Sequence, residues 1–211
     1  VEAPADAGEP TSAPDTEQAP RPDTSEKSQL DGGEPAVQAP EKYDLVVPDG
    51  VEVDAGYVDE IASFAKEQGL SQDAAQALLD REEIRDLVCR YAHLVWQNRP
   101  LDTVELFAEN GVMDMGADGG RIEGRAALRA VYSRQVGEMI LHPFVHNHVI
   151  ELDGERASGF AYLDLRCVRE GQSLIGSGHY LDRYVRERGR WRFSYRSLIM
   201  HYLVPPGSPW Q

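Results

Sequence analysis

From Phe144 to Leu203 apolar and polar residues alternate with a period of two, broken only at Asp153-Gly154, Glu170-Gly171 and Arg188-Gly189. Alternation sends successive side chains to opposite faces of a strand, and each of those dipeptides is a hairpin-turn signal. The pattern predicts four strands, at 144–152, 157–168, 174–186 and 191–203, paired as an antiparallel meander. Four long strands on two-residue turns leave few folds open. One face of the sheet has to be buried, and the rest of the chain has to cover it.

The upstream sequence supplies the cover. Val58, Ile61, Phe64 and Ala65 recur at helical spacing, and Gly69 stops that helix. Ser71 can cap a second helix with Ala74, Ala75, Leu78 and Leu79 on its apolar side. Asp80 followed by Glu83 reads as a capping-box variant that opens a third helix, with Ile84, Leu87, Val88, Tyr91, Leu94 and Val95 as its buried stripe. Arg99-Pro100 ends it, because proline disfavours a helical residue before it. A short helix over 101–108, a hairpin of 112–115 with 121–123, and a helix from Arg125 to about Gly137 complete the pattern. The class is α+β: three helices packed on a curved, mainly antiparallel sheet, closing a cone. A short helical segment and an acidic tail precede it.

Composition divides the chain. Residues 1–41 hold ten carboxylates against Arg21 and Lys27, a net of −8 within the chain's −15, and seven of its thirteen prolines. Such a segment cannot bury enough apolar area to offset its chain entropy, so a disordered acidic linker is expected. Residues 42–79 form the short helical segment, beginning with an extended piece from Tyr43 that ends in the Pro48-Asp-Gly50 turn. The main domain covers 80–205, with a tail at 206–211. The acidic balance argues against nucleic acid as a partner, since phosphates need a cationic surface. No apolar run approaches the ~20 residues of a membrane helix. Cys89 and Cys167 make no disulfide framework, and Cys89 is expected as a small buried helix residue. A cytoplasmic protein is expected, with a removed leader or truncation left open by Val1 in place of Met.

Several pieces fall in a recognisable order. They are Arg90-Tyr91-Ala, Leu106-Phe107-Ala-Glu-Asn-Gly-Val-Met-Asp114, Gly124-Arg-x-Ala-Leu, His146-Asn147-His-Val-Ile-Glu151-Leu-Asp-Gly154 with Ala157-x-Gly159, Gly178-x-Tyr180-x-Asp182, and Trp191-Arg192-Phe-x-x-Arg196. Over some 125 residues the chain resembles the SnoaL-like branch of the NTF2-like superfamily, whose fold is a cystatin-like cone. That resemblance implies polyketide cyclases, dehydratases, steroid isomerases or non-catalytic binders as relatives, and one fold carries all of these roles. The stretch 41–80 resembles a short module of tailed-phage head-assembly proteins, through its Lys-Tyr…Pro-x-Gly and Ala-Lys-Glu-x-Gly-Leu-Ser-Gln pieces, which implies protein docking.

Acid–base work at carbon needs a base, a donor and exclusion of water. Tyr91 stands where the resemblance implies a hydrogen-bond-donating tyrosine; a packed core tyrosine is the alternative. Many relatives carry Asp where this chain has Trp96. The steroid-isomerase base falls near Met115, with Asp114 one residue away and so on the opposite strand face. One dehydratase histidine falls nearest Pro143, another near Ala161. His142, His146, Asn147 and His148 cluster beside the first of these, with His146 and His148 expected on one face and Asn147 on the other. His146 is the candidate proton shuttle, and Tyr91 and Asp114 complete the catalytic set. Trp96, Met115, Asn147, His148, His179 and Arg196 are the candidate substrate contacts, with Arg196 also expected to pair with Asp182. His146, His148, His179 and His201 lack a carboxylate or cysteine to complete a metal set, so no metal and no cofactor are expected.

Two functions follow. One is a pocket for a small polycyclic or aromatic ligand, with cofactor-free dehydration, isomerisation or cyclisation. The other is a non-catalytic ligand-binding or assembly domain. A homodimer through the outer sheet face is expected in either case, because aromatics at alternate positions leave apolar area to cover.

Overall fold

The computed structural model describes residues 39–46, 55–135 and 139–210. The acidic segment, apart from its last residues, and the Pro48-Asp-Gly50 turn lie outside the described residues. Helix α1 spans Ala55–Glu67 and α2 spans Gln72–Trp96. A short helix α3 (Pro100–Val104), strand β1 (Phe107–Asp114), one turn α4 (Gly116–Gly119), strand β2 (Arg121–Glu123) and helix α5 (Arg125–Gln135) follow. The meander is β3 (Met139–Asp153), β4 (Arg156–Arg169), β5 (Gln172–Glu187) and β6 (Arg190–Val204). The strands form one sheet in the order β2-β1-β6-β5-β4-β3, antiparallel except where β1 runs parallel to β6.

Local chemistry accounts for most boundaries. The Ser71 hydroxyl caps α2 by accepting from the Ala74 amide at 3.1 Å. Glu170-Gly171 and Arg188-Gly189 all take positive φ, as type I′ hairpin loops require. The first hairpin loop is Gly154-Glu155, one residue beyond the expected Asp153-Gly154, because Asp153 pairs with Arg156.

Three expectations are corrected. No third helix starts at Asp80: α2 runs unbroken for 25 residues, about 37 Å. Nothing between Ser71 and Arg99 breaks a helix, and Asp80 is spent elsewhere. It is buried, accepts from Gln76 Nε2 at 2.9 Å and pairs with Arg186. The expected helix over 101–108 ends at Val104, and Phe107, fully buried, instead pairs with Phe193 of β6. Cys89 is exposed on α2 rather than buried.

The core lies between α2, α5 and the inner face of the sheet. Ile84, Leu87, Val88 and Tyr91 of α2 meet Phe107, Met113, Tyr184 and Phe193. A smaller cluster of Tyr43, Ala65 and Ala75 ties the 39–46 segment to α1 and α2, with the Tyr43 hydroxyl donating to the Leu70 carbonyl at 2.6 Å. No described helix is long and apolar enough to cross a membrane.

Candidate functional site

Period two puts Tyr180, Asp182 and Tyr184 of β5 on the inner face, and Arg196 stands opposite Asp182 on β6. Arg196 is fully buried. Its Nη2 donates to Asp182 Oδ2 at 3.2 Å, and its Nε lies 3.1 Å from Oδ1, too far off line to count as a hydrogen bond. The rest of the guanidinium is enclosed by aromatic faces: Tyr180 at 3.8 Å, Tyr91 at 4.2 Å and Phe193 at 4.3 Å from the ring centres. Burial raises the Asp182 carboxyl above its usual range, against the pull of Arg196 and the Tyr184 hydroxyl. Burial alone would lower the Arg196 guanidinium, but the Asp182 carboxylate beside it raises it, so the cation persists.

The chain of polar groups continues outward. The Tyr184 hydroxyl donates its only proton to Asp182 Oδ2 at 3.0 Å. Its oxygen must therefore accept from His148 Nε2, 3.1 Å away, which puts the ring proton on Nε2 and leaves Nδ1 with a free lone pair. Burial, then Arg196 and Arg85, push His148 down to about 4, so it is neutral at pH 7. Gly159 makes room: a Cβ there would stand 2.8 Å from the Tyr184 hydroxyl oxygen and 3.1 Å from His148 Nε2.

Tyr91 is 6% exposed and packs edge-on against Phe107, Tyr180 and Phe193. Burial, and then the neighbouring Tyr91, raise the Tyr132 phenol well above its usual value. Of the expected site residues, Tyr91, His148 and Arg196 thus come together on the inner wall. Met115 packs at its margin, beside the core.

The others do not join them. His146 faces outward, 43% exposed at its side chain, with Nε2 3.5 Å from Asp164 Oδ2. His146 and His148 do not share a face as simple alternation requires. The pairing of β3 with β4 slips between His146 and Val149, where Asn147 takes φ 52°. This bulge absorbs one residue and turns His148 inward while His146 stays out. Asn147 is exposed at the bulge. Asp114 also lies outside: it accepts from the Gly116 amide at 3.0 Å and the Tyr195 hydroxyl at 2.9 Å. Those two bonds hold its carboxyl below the usual range, which makes it a poor base. His179 is on the outer face, stacked on Phe160 with its Nδ1 2.9 Å from His201 Nε2. Trp96 does not fill the cone. It is half exposed, stacks on His142 at 3.8 Å and donates from Nε1 to the Pro143 carbonyl at 2.8 Å. Tyr132 carries no signal of its own in the sequence, whereas Tyr184 is marked by its place two residues from Asp182 on the same strand face.

A family model described as a SnoaL-like domain matches residues 76–197. The chain belongs to the SnoaL-like family. No curated protein matches it. Among solved structures, a function-unknown protein from Mycobacterium tuberculosis is 26% identical, with a TM-score of 0.55 over 60% of this chain and 75% of that one. A type 2 hexachlorocyclohexane dehydrochlorinase (LinA) is 17% identical, with a TM-score of 0.58 over 63% and 93%. A protein of unknown function with a cystatin-like fold, from Nostoc punctiforme, is 20% identical, with a TM-score of 0.50 over 62% and 95%. The last two likenesses carry the fold alone. For this SnoaL-like domain the match starts at Gln76, inside α2, and ends at Ser197, just past the Arg196–Asp182 pair.

Proposed function

We propose that this SnoaL-like domain is a non-catalytic assembly module that pairs with a second copy of itself through the outer face of its sheet. One observation carries the non-catalytic part. The resemblance implies an aspartate at the position of Trp96 in many relatives and a dehydratase histidine nearest Pro143. Trp96 and Pro143 touch each other, indole N–H to backbone carbonyl, at 2.8 Å. Neither side chain can take or give a proton. The remaining inner groups are packed against one another, and the expected shuttle His146 and base Asp114 face away.

The outer face supports the pairing. Val149, Tyr162, Leu181 and Ile199 stand on four adjacent strands and remain exposed, with Val149 at 59% and Tyr162 at 45%. Apolar area of this kind, contiguous and rimmed by charge, marks interaction sites. Arg121, Arg166 and Arg183 stand among Asp114, Glu151 and Asp164 on the same face, so both signs are present on a chain of net charge −15. Like-charged copies meet at least cost where the local charge balances. The resemblance of 41–80 to a phage head-assembly module, if it marks a docking segment, would serve the same assembly.

The test is light scattering on the full chain at micromolar concentration, with native mass spectrometry of the same sample. A dimer without a stoichiometric small molecule is expected, and Leu181→Asp should shift it to monomer with the melting temperature of the fold retained. A monomer holding a bound organic molecule overturns the reading. That outcome favours a second one, acid–base chemistry at His148. The neutral ring and free Nδ1 of this histidine, fixed through Tyr184, are the only observation on its side.

A further inference from the structure

The outer face carries a second feature within the proposed pairing face, where His179 of β5 stands between Tyr162 of β4 and Ile199 of β6. Two devices bring β5 and β6 unusually close at one spot. Gly178 lies so near β6 that a Cβ would stand 2.3 Å from the Ile199 carbonyl oxygen. The register then slips between Ser177 and Gly178, which pair with Tyr202 and Met200, so His201 is the extra residue of a β-bulge. Bulges re-aim side chains. Here the result is that His179 Nδ1 and His201 Nε2 stand 2.9 Å apart.

That spacing has a chemical meaning beyond a hydrogen bond. Two imidazole nitrogens each ~2.05 Å from one metal ion, at right angles, are roughly 2.9 Å apart, whereas a tetrahedral angle needs about 3.3 Å. Both nitrogens can therefore reach one ion once the proton between them is lost, and the affinity of imidazole sites for divalent ions peaks at copper(II). We propose that His179 and His201 form a two-imidazole chelate for a copper(II)- or nickel(II)-class ion, with the remaining coordination positions open to water or to a docked second copy.

Both ligands must be neutral to hold an ion. The stack of Phe160 against His179, ring centres 4.8 Å apart, fixes one ring. Among the described residues no group of three or more histidine, cysteine or carboxylate side chains gathers, so the protein supplies two ligands and binding is in the micromolar range at best.

The probe is copper(II) chloride, titrated calorimetrically into the full chain in a non-coordinating buffer, with electron paramagnetic resonance to count coupled nitrogens. The wild type, or the Leu181→Asp monomer where pairing covers the site, should bind one ion per chain with a two-nitrogen signature. His179→Gln and His201→Gln should each weaken that binding at least tenfold while melting like the wild type. The same titration on Leu181→Asp separates this inference from the pairing: copper bound by that monomer but not by the wild type means a paired face sealing an intact chelate. Equal binding by the wild type and both glutamine variants overturns the proposal, as does no binding by either the wild type or the Leu181→Asp chain.

Discussion

At the scale of single residues, the charge buried in the cone dominates. Arg196 keeps its proton, and among the described residues its only carboxylate partner is Asp182, itself without exposed side-chain surface. A buried pair of this kind contributes little net stability compared with an apolar substitute, but half of it is costly. Asp182→Ala leaves a cation among three aromatic rings and removes the acceptor of the Tyr184 hydroxyl. We expect a loss of about 3–5 kcal/mol, seen as a lower midpoint in urea denaturation. An unchanged midpoint would show that the three ring faces alone suffice to hold the guanidinium.

At the scale of elements, the β3 bulge decides which histidine faces the inner side of the sheet. Asn147 holds φ 52°, a left-handed conformation that asparagine tolerates and β-branched residues resist. Asn147→Val should therefore cost about 1–2 kcal/mol and broaden or shift the His148 ring signals in NMR, because the bulge relaxes. Asn147→Gly should leave both stability and those signals close to the wild type. If valine proves neutral, the bulge is not held by the backbone conformation at 147, and the inward place of His148 loses its local cause.

At the scale of the whole molecule, two buried titratable groups pull stability in opposite directions with pH. Burial pushes the Glu83 carboxyl up to about 7, against the pull of Arg186 3.9 Å away. The folded state thus holds this proton more tightly than the unfolded chain, and Glu83 favours folding increasingly as pH falls from about 7 towards 4.5. His148, down at about 4 against 6.5, does the reverse: its contribution is intact above 6.5 and is lost as pH falls towards 4. The two cancel in part across the same window. Glu83→Gln should expose the histidine alone. The variant should be more stable than the wild type at pH 8, and its denaturation midpoint should fall on acidification towards pH 5 more steeply than the wild-type midpoint does. Parallel midpoint-against-pH curves for the two proteins would mean that Glu83 titrates normally in the fold.

Much of this architecture is written locally. Alternation and glycine turns place all four strands of the meander, because side-chain period and positive φ depend on a few neighbouring residues. The Tyr91 stripe, the pairing of Asp182 with Arg196 and the cone-shaped class follow from the same short-range patterns and from the resemblance they support. What the sequence leaves undetermined is what depends on partners far along the chain. Asp80 carries a capping signal, yet it continues a helix, because Arg186, over a hundred residues away, takes its carboxylate in a buried site. Phe107 ends a helical pattern, yet it starts a strand, because Phe193 offers it a fully buried neighbour. His146 and His148 exchange roles through one absorbed residue at Asn147. A one-residue slip costs little locally but inverts every side chain after it, so only the packed sheet, which must keep Ile150 in the core and leave Val149 outside, decides which histidine faces the cone.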